Sequence, residues 1–355
     1  MTTHRRPIRV GVRTRSLEPS RLRFLRQIGV ADIFLEHSTL DEEPTEFTDG
    51  STEEVPVVID EDVIPTVDEL RDARDRVEEY GMELAGIHSL PYSLYGPIMF
   101  GESAASGRLS LVTELIERLG QAGIPYLGYQ WNPRGLVPMR TRSAEEVRGG
   151  AKVTGFHLED LDEPFETVPQ AEQVPDEATC WEYYEEFVEA VIPVAEAADV
   201  TLALHPTDPP GLEQLGGIPR LFRDVDSFDR AMAIYPSEHH TLKLCLGCFS
   251  QLGEDIPALI RQFGEKDQIG FVHFRDVEGT VPSFRETFVD AGNFDPVLAM
   301  QTLHEVGFEG AVMPDHVPAV EGDTNYRHRG RGYTVGYMNG IIDATHPRTP
   351  STQSP

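Results

Sequence analysis

The chain has 355 residues, 39% of them hydrophobic, which is enough for one large domain with a sizeable core, and it holds no run of roughly eighteen apolar residues that would span a bilayer. Sixty acids against thirty bases give a formal charge of −30, which excludes duplex nucleic acid as a partner, because affinity for it needs Lys and Arg against phosphates. The acids are scattered along the whole chain and the only lysines are Lys152, Lys243 and Lys266; we read this as adaptation to a halophilic, salt-filled cytoplasm, where the screening length falls to about 3 Å near 1 M, the other explanation being a surface for cations or a basic partner.

The opening MTTHRRPIRVGVRTR carries arginines but no apolar signal core, so the expected location is cytoplasmic. Strand and helix patterns alternate from there. IRVGVRT (8–14) reads as a strand, EPSRLRFLRQIG as a helix and ADIFLEH (31–37) as a second strand. An acidic, turn-rich stretch at about 41–65 reads as an exposed insertion. Thr66 with Glu69 three residues on forms a capping box, Val67, Leu70, Ala73 and Val77 lie roughly on one helical face, and Gly81 supplies a stop. MELAGIHSL (82–90) is a third strand, RLSLVTELIERLGQAG a helix ended by Gly123, and IPYLGYQW (124–131) a fourth strand.

Residues at about 133–175 lack a steady period and read as an excursion suited to a lid. A long helix, TCWEYYEEFVEAVIPVAEAADV, follows. The remaining strands are TLALHP (201–206), TLKLCLG (241–247), IGFVHFRDV (269–277) and GAVMPDH (310–316), separated by helical segments such as SFDRAMAIYP, IPALIRQFG and PVLAMQTLHEVG. Eight strands alternating with helices, with no linker between them, predict an α/β fold: a single (β/α)8 TIM barrel over 1–345 with loop insertions, and a disordered tail at 346–355.

Barrel enzymes carry their chemistry at the C-terminal ends of the strands. Strands five to eight end in His205, Cys245, His273 and Asp315, spaced 40, 28 and 42 residues apart, each about one strand-helix unit. A lone histidine there is an ordinary hydrogen-bonded group and a lone cysteine a small hydrophobe. Four coordinating side chains in register instead predict a site for a divalent transition ion. Three cysteines, Cys180, Cys245 and Cys248, set up no disulfide framework. CLGC at 245–248 also spells a redox CxxC, but its first cysteine closes a strand, so metal ligation is preferred and Cys248 is read as packing. No P-loop, GxGxxG or GxSxG after a strand is present.

LHPTDPP (204–210), LKLCLG (242–247), FVHFRDV (271–277), MPDH (313–316) and GYMNGI (336–341) resemble the successive signatures of mannonate dehydratases, and IHSLPYS (87–93) and QAGIPYLGYQWNP (121–133) are similar to the same family in the same order. The resemblance runs from about residue 82 to 342. It implies a xylose-isomerase-like TIM barrel holding Mn²⁺ or Fe²⁺ on His205, Cys245, His273 and Asp315, and a hydro-lyase that turns D-mannonate into 2-dehydro-3-deoxy-D-gluconate. By the same resemblance His316 and Tyr326 are the acid/base candidates, His316 having a bracing role beside Asp315 as its alternative. Arg275, then Arg13, are expected to bind the substrate carboxylate, and Asn132 and His88 to line the pocket.

The chain departs from the family pattern at Met313, where an arginine is usual, at Val317 in place of glycine, at Val289 in place of histidine and at Gln130 in place of asparagine. These departures touch the substrate side more than the metal side. A dehydratase of another aldonic acid is therefore the first alternative, and a metal-dependent sugar isomerase or epimerase on the same barrel the second, against which Cys245 speaks. A phosphodiesterase acting on DNA and a non-catalytic metal-binding barrel rank lower. The partner expected is a small sugar acid, with no nucleic acid and no membrane; a homo-oligomer is left open.

Overall fold

A computed structural model describes residues 7–36, 57–60, 62–133, 136–161 and 174–346. Eight parallel strands, Ile8–Thr14, Asp32–Leu35, Glu83–Ile87, Tyr126–Gln130, Thr201–His205, His240–Cys245, Ile269–His273 and Gly310–Met313, close into a barrel. Each pairs with its neighbours in sequence and the first pairs with the last. These strands are buried on both faces, which is why they read as apolar runs rather than as alternating patterns. The seventh and eighth stop several residues short of the expected ends, so Arg275 and Asp315 stand on the loops that follow.

The barrel interior is filled by Phe34, Ala85, Ala203, Phe271, Ala311 and Met313. Lys243 also points inward, donating to the His88 carbonyl at 2.7 Å. Gly128 makes room for this contact, because a Cβ there would run into the His88 carbonyl and lie 3.0 Å from Lys243 Nζ. A larger apolar cluster joins the outer faces of the strands to the helices.

Helix Val67–Glu78 starts as its sequence predicts. The Glu69 amide donates to Thr66 Oγ1 at 3.2 Å, and the Thr66 amide to Glu69 Oε2 at 2.7 Å. Leu70, Ala73 and Val77 are its buried face. Helix Ala105–Ala122 ends on Gly123 at φ 71, and helix Glu177–Ala198 is capped by Asp176, which accepts from the Thr179 amide.

Two expectations change. The acidic stretch at 41–65 lies mostly outside the described residues; within it Val57 and Ile59 are buried in the main core, whereas Asp62 and Val63 are exposed. The excursion at 133–175 contains strands Arg142–Glu146 and Lys152–His157, which join a hairpin, Val277–Thr280 with Ser283–Glu286, in a four-stranded antiparallel sheet. What the sequence suggests as a lid is therefore hydrogen-bonded to the loop after strand seven, through Phe284 opposite Phe156. The tail from 347 on lies outside the described residues.

Candidate metal centre

Cys245 and His273 are paired in register on neighbouring strands, and His205 is paired with Gln130 on the other side of strand five. With Asp315 they form a buried group whose ligand atoms all lie within 4.8 Å of one another. Donors each about 2.0 to 2.3 Å from one ion are separated by up to about 4.6 Å, so this is close to the spread of a shared coordination sphere.

The hydrogen bonds say which atoms are available. His205 Nδ1 lies 2.7 Å from the Pro206 carbonyl; a carbonyl only accepts, so Nδ1 carries the proton and Nε2 keeps its lone pair. His273 Nε2 is 3.0 Å from His88 Nε2, while its Nδ1 is buried without a hydrogen-bond partner, 3.5 Å from an Asp315 oxygen. An orphaned buried nitrogen beside a carboxylate and a thiol is what a coordinating atom looks like without its ion.

Cys245 supplies the soft donor. Burial opposes its ionisation, but a hydrogen bond from Cys248, the Arg275 charge and contacts with His205 and His273 hold the thiol well below its usual range. Burial and the bond to Cys245 push Cys248 well up, so Cys248 keeps its proton and donates it, which is more than packing. Burial likewise opposes charge on Asp315, and His316, His273 and Arg13 outweigh it. One thiolate and one carboxylate match the charge of a divalent ion, and two neutral imidazoles complete a set suited to a transition metal. The residues present fit such an ion.

Around this group lies a charge network that the sequence does not reveal. Arg275, with its side chain 1% exposed, donates from Nε to Asp315 at 3.0 Å, from Nη1 to Glu286 at 3.1 Å and from Nη2 to Asp208 at 2.9 Å. It is not among the residues lining the cavity. Its donors are held by three acids of the protein in this structure, so a substrate carboxylate would have to compete with them for Arg275. Arg140, reaching in from the loop before the antiparallel sheet, pairs with both oxygens of Asp208 at 2.8 and 3.0 Å and also with Glu286. Burial opposes charge on Asp208, yet the two arginines hold its carboxyl down at about 2.

The open side is a small cleft whose walls include Arg13, Glu286, Asp315, His316, Val317, Tyr326 and Arg331. His316 Nδ1 lies 2.8 Å from Glu286 Oε1, so this proton goes to the carboxylate; its Nε2 is 3.7 Å from Asp315. The Tyr326 ring sits between the Arg21 guanidinium at 3.4 Å and that of Arg331 at 4.3 Å, and its hydroxyl donates to the Arg13 carbonyl at 3.4 Å. Arg13 pairs with Glu36 at 2.9 Å and faces Asp315 at 3.6 Å.

His88 and Asn132, expected to line the pocket, are both buried. His88 stacks on His273, with centroids 5.1 Å apart and planes 8° apart, and Asn132 is buried where its carbonyl accepts from Tyr95. Of the positions that depart from the family pattern, Val317 lines the cavity, Met313 fills the barrel interior and Val289 joins the outer core. Glu286, Asp208 and Arg140 were not foreseen. Only Glu286 leaves a trace in the sequence, standing in the apolar phase of Phe284, Glu286 and Phe288 on an alternating strand.

Among the described residues no helix is long and apolar enough to cross a membrane. Residues 52–351 match the sequence model of the D-mannonate dehydratase (UxuA) family. A mannonate dehydratase of Oceanobacillus iheyensis is 28% identical over 308 residues, covering 78% of this chain and 85% of that one, and mannonate dehydratase 2 of Halalkalibacterium halodurans is 26% identical over 297 residues, covering 76% and 85%. In fold the chain is similar to the crystal structure of mannonate dehydratase from Streptococcus suis serotype 2, with a TM-score of 0.79 at 24% identity over 95% of each chain. It is also similar, at a TM-score of 0.58 and 13% identity over 95% of each chain, to an L-ribulose 3-epimerase. With the matched stretch covering every barrel strand but the first two and all four clustered donors, the chain belongs to the D-mannonate dehydratase family of hydro-lyases.

Proposed function

We propose that this protein is a divalent-metal-dependent hydro-lyase that converts D-mannonate to 2-dehydro-3-deoxy-D-gluconate in hexuronate catabolism. The observation that carries the reading is that His205, Cys245, His273 and Asp315 converge within 4.8 Å beside a cavity shared by His316 and Tyr326. The four would hold Mn²⁺ or Fe²⁺, through His205 Nε2, Cys245 Sγ, His273 Nδ1 and a carboxylate oxygen of Asp315. When bound, such an ion supplies Lewis acidity, polarising substrate oxygens and stabilising the charge that builds up next to the carboxylate. A thiol ligand of this kind suits the reducing cytoplasm.

Dehydration removes a proton from C2 and a hydroxyl from C3. The C2–H electron pair becomes the C2–C3 double bond as the C3–O bond breaks, the hydroxyl leaves with a proton as water, and the resulting enol becomes the 2-keto acid. Two proton-carrying groups are needed, and His316 and Tyr326 take these roles, since the other acids on the cavity, Glu286 and Asp315, are engaged by Arg275. Glu286 accepts from His316 Nδ1, which leaves Nε2 as the atom that takes the proton. Tyr326, its ring clamped between two guanidiniums, then serves as the donor to the departing hydroxyl. Arg13, at the cavity wall and 3.6 Å from Asp315, adds positive charge beside the metal set.

A second reading, a dehydratase of a different aldonate, is favoured by Val317, the departure from the family pattern that faces the cavity. The test is a panel of aldonates with protein loaded with Mn²⁺, or with Fe²⁺ under argon, at low and high salt, assaying for 2-keto-3-deoxy acid and counting metal per chain. Product from D-mannonate supports the first reading. Turnover of another aldonate alone moves the assignment to the second, and no product from any aldonate removes both.

A further inference from the structure

The cavity has three arginines in its wall, Arg13, Arg327 and Arg331, and their surroundings differ. Arg13 is ion-paired with Glu36, and Arg327 lies at the cavity edge, donating to the Val317 carbonyl. Behind the wall, Arg140 and Arg275 are occupied by Asp208 and Glu286. Arg331 is nine-tenths buried and forms no ion pair among the described residues. Its Nε donates to the Tyr326 carbonyl at 2.9 Å, and its Nη1 is buried without a hydrogen-bond partner. Burial disfavours its charge, as do the neighbouring Arg13 and Arg21, and Tyr326 and Glu36 offset this only in part. A guanidinium that is always charged, desolvated and short of an acceptor is a ready site for an anion.

We propose that Arg331 takes the carboxylate of the sugar acid. This rests on the sugar-acid reading and adds the group that decides for an acid over a neutral sugar. The position suits the chemistry. Arg331 lies against the face of Tyr326 at 4.3 Å, so a carboxylate held by it brings C2, the carbon bonded to that carboxylate, next to the proton-carrying groups. One side chain then positions the substrate and supports the tyrosine.

The test is calorimetric binding to manganese-loaded wild type, Arg331→Met and Arg331→Lys, with D-mannonate and with D-mannitol, which has the same hydroxyls but an alcohol at C1. D-gluconate and D-glucitol form a second acid and alcohol pair. Wild type is expected to prefer the acid. Arg331→Met should weaken acid binding roughly 100-fold, the loss of a charge-assisted bidentate contact, and alter alcohol binding less than about threefold, and Arg331→Lys should recover part of the loss. Metal content and melting temperature are recorded for each variant, so that a misfolded Arg331→Met leaves the decision with Arg331→Lys, whose acid preference should fall below that of wild type. Equal weakening of acid and alcohol would mean that Arg331 only supports Tyr326 and would overturn the proposal. So would an unchanged acid preference, or a wild type with no such preference in either pair. If wild type prefers the acid but turns over no mannonate, and the variants lose the preference, the role of Arg331 stands and the mannonate assignment falls.

Discussion

Replacing Arg275 by methionine separates two roles by their magnitude. Methionine keeps the stem volume and removes the guanidinium that joins Asp315, Glu286 and Asp208. Arg140 still faces Asp208 and Glu286, and Arg13 is 3.6 Å from Asp315, so the three acids keep partners but lose a positive charge at the centre of the group. Removing one member of a buried ionic network costs about 3 to 5 kcal/mol. With an unfolding entropy of about 2.1 cal/mol/K per residue, a chain of 355 residues changes stability by about 0.75 kcal/mol per degree near its midpoint. The melting temperature should therefore fall by about 4 to 7 °C. Scanning calorimetry at neutral pH checks this, and added salt should restore little, because buried pairs are weakly screened. A melting temperature within a degree of wild type, together with a tenfold or larger rise in KM for the acid, would refute this reasoning and return Arg275 to the substrate.

Cys245→Ser should lower metal content sharply while the barrel stays folded, checked by elemental analysis and circular dichroism; full metal loading would remove the sulfur from the coordination set. Tyr326→Phe should leave metal bound and suppress turnover about 100-fold or more, and an unchanged rate would take Tyr326 out of the mechanism. His240 tests burial away from the site: its imidazole, hydrogen-bonded to Tyr129 at 3.1 Å, is held down at about 4 chiefly by burial. The unfolded chain then binds the proton more tightly between pH 6.5 and 4, so the penalty is absent above pH 6.5 and grows to about 3 kcal/mol as pH falls to 4. The loss of stability of His240→Gln relative to wild type should shrink over that range, and a constant difference in denaturation midpoint would contradict it.

The barrel was legible because buried parallel strands write themselves as apolar runs, and IRVGVRT reproduces its strand to the residue. The metal donors were legible for a related reason, since chemistry at strand ends appears once per strand-helix unit. What was hidden depends on the return of the chain. Arg142–Glu146 and Lys152–His157 are strands, but the first is solvent-facing and charged and so carries no apolar phase. Asp208, Glu286 and Arg140 meet only because that sheet lies against the loops after strands five and seven, a juxtaposition that no local spacing encodes. The partners of Arg275 were hidden for the same reason: its motif marks it as a site residue, but only the fold shows three carboxylates around it. Val57 and Ile59 were hidden by the acids beside them.

The most direct test of the central claim is X-ray absorption at the metal edge of protein loaded with one equivalent of Mn²⁺, compared with Cys245→Ser. The account predicts a single sulfur scatterer in a shell otherwise of nitrogen and oxygen, with imidazole outer-shell features, and the loss of that sulfur in the variant. A shell of oxygen alone, or a spectrum that Cys245→Ser leaves unchanged, would contradict it.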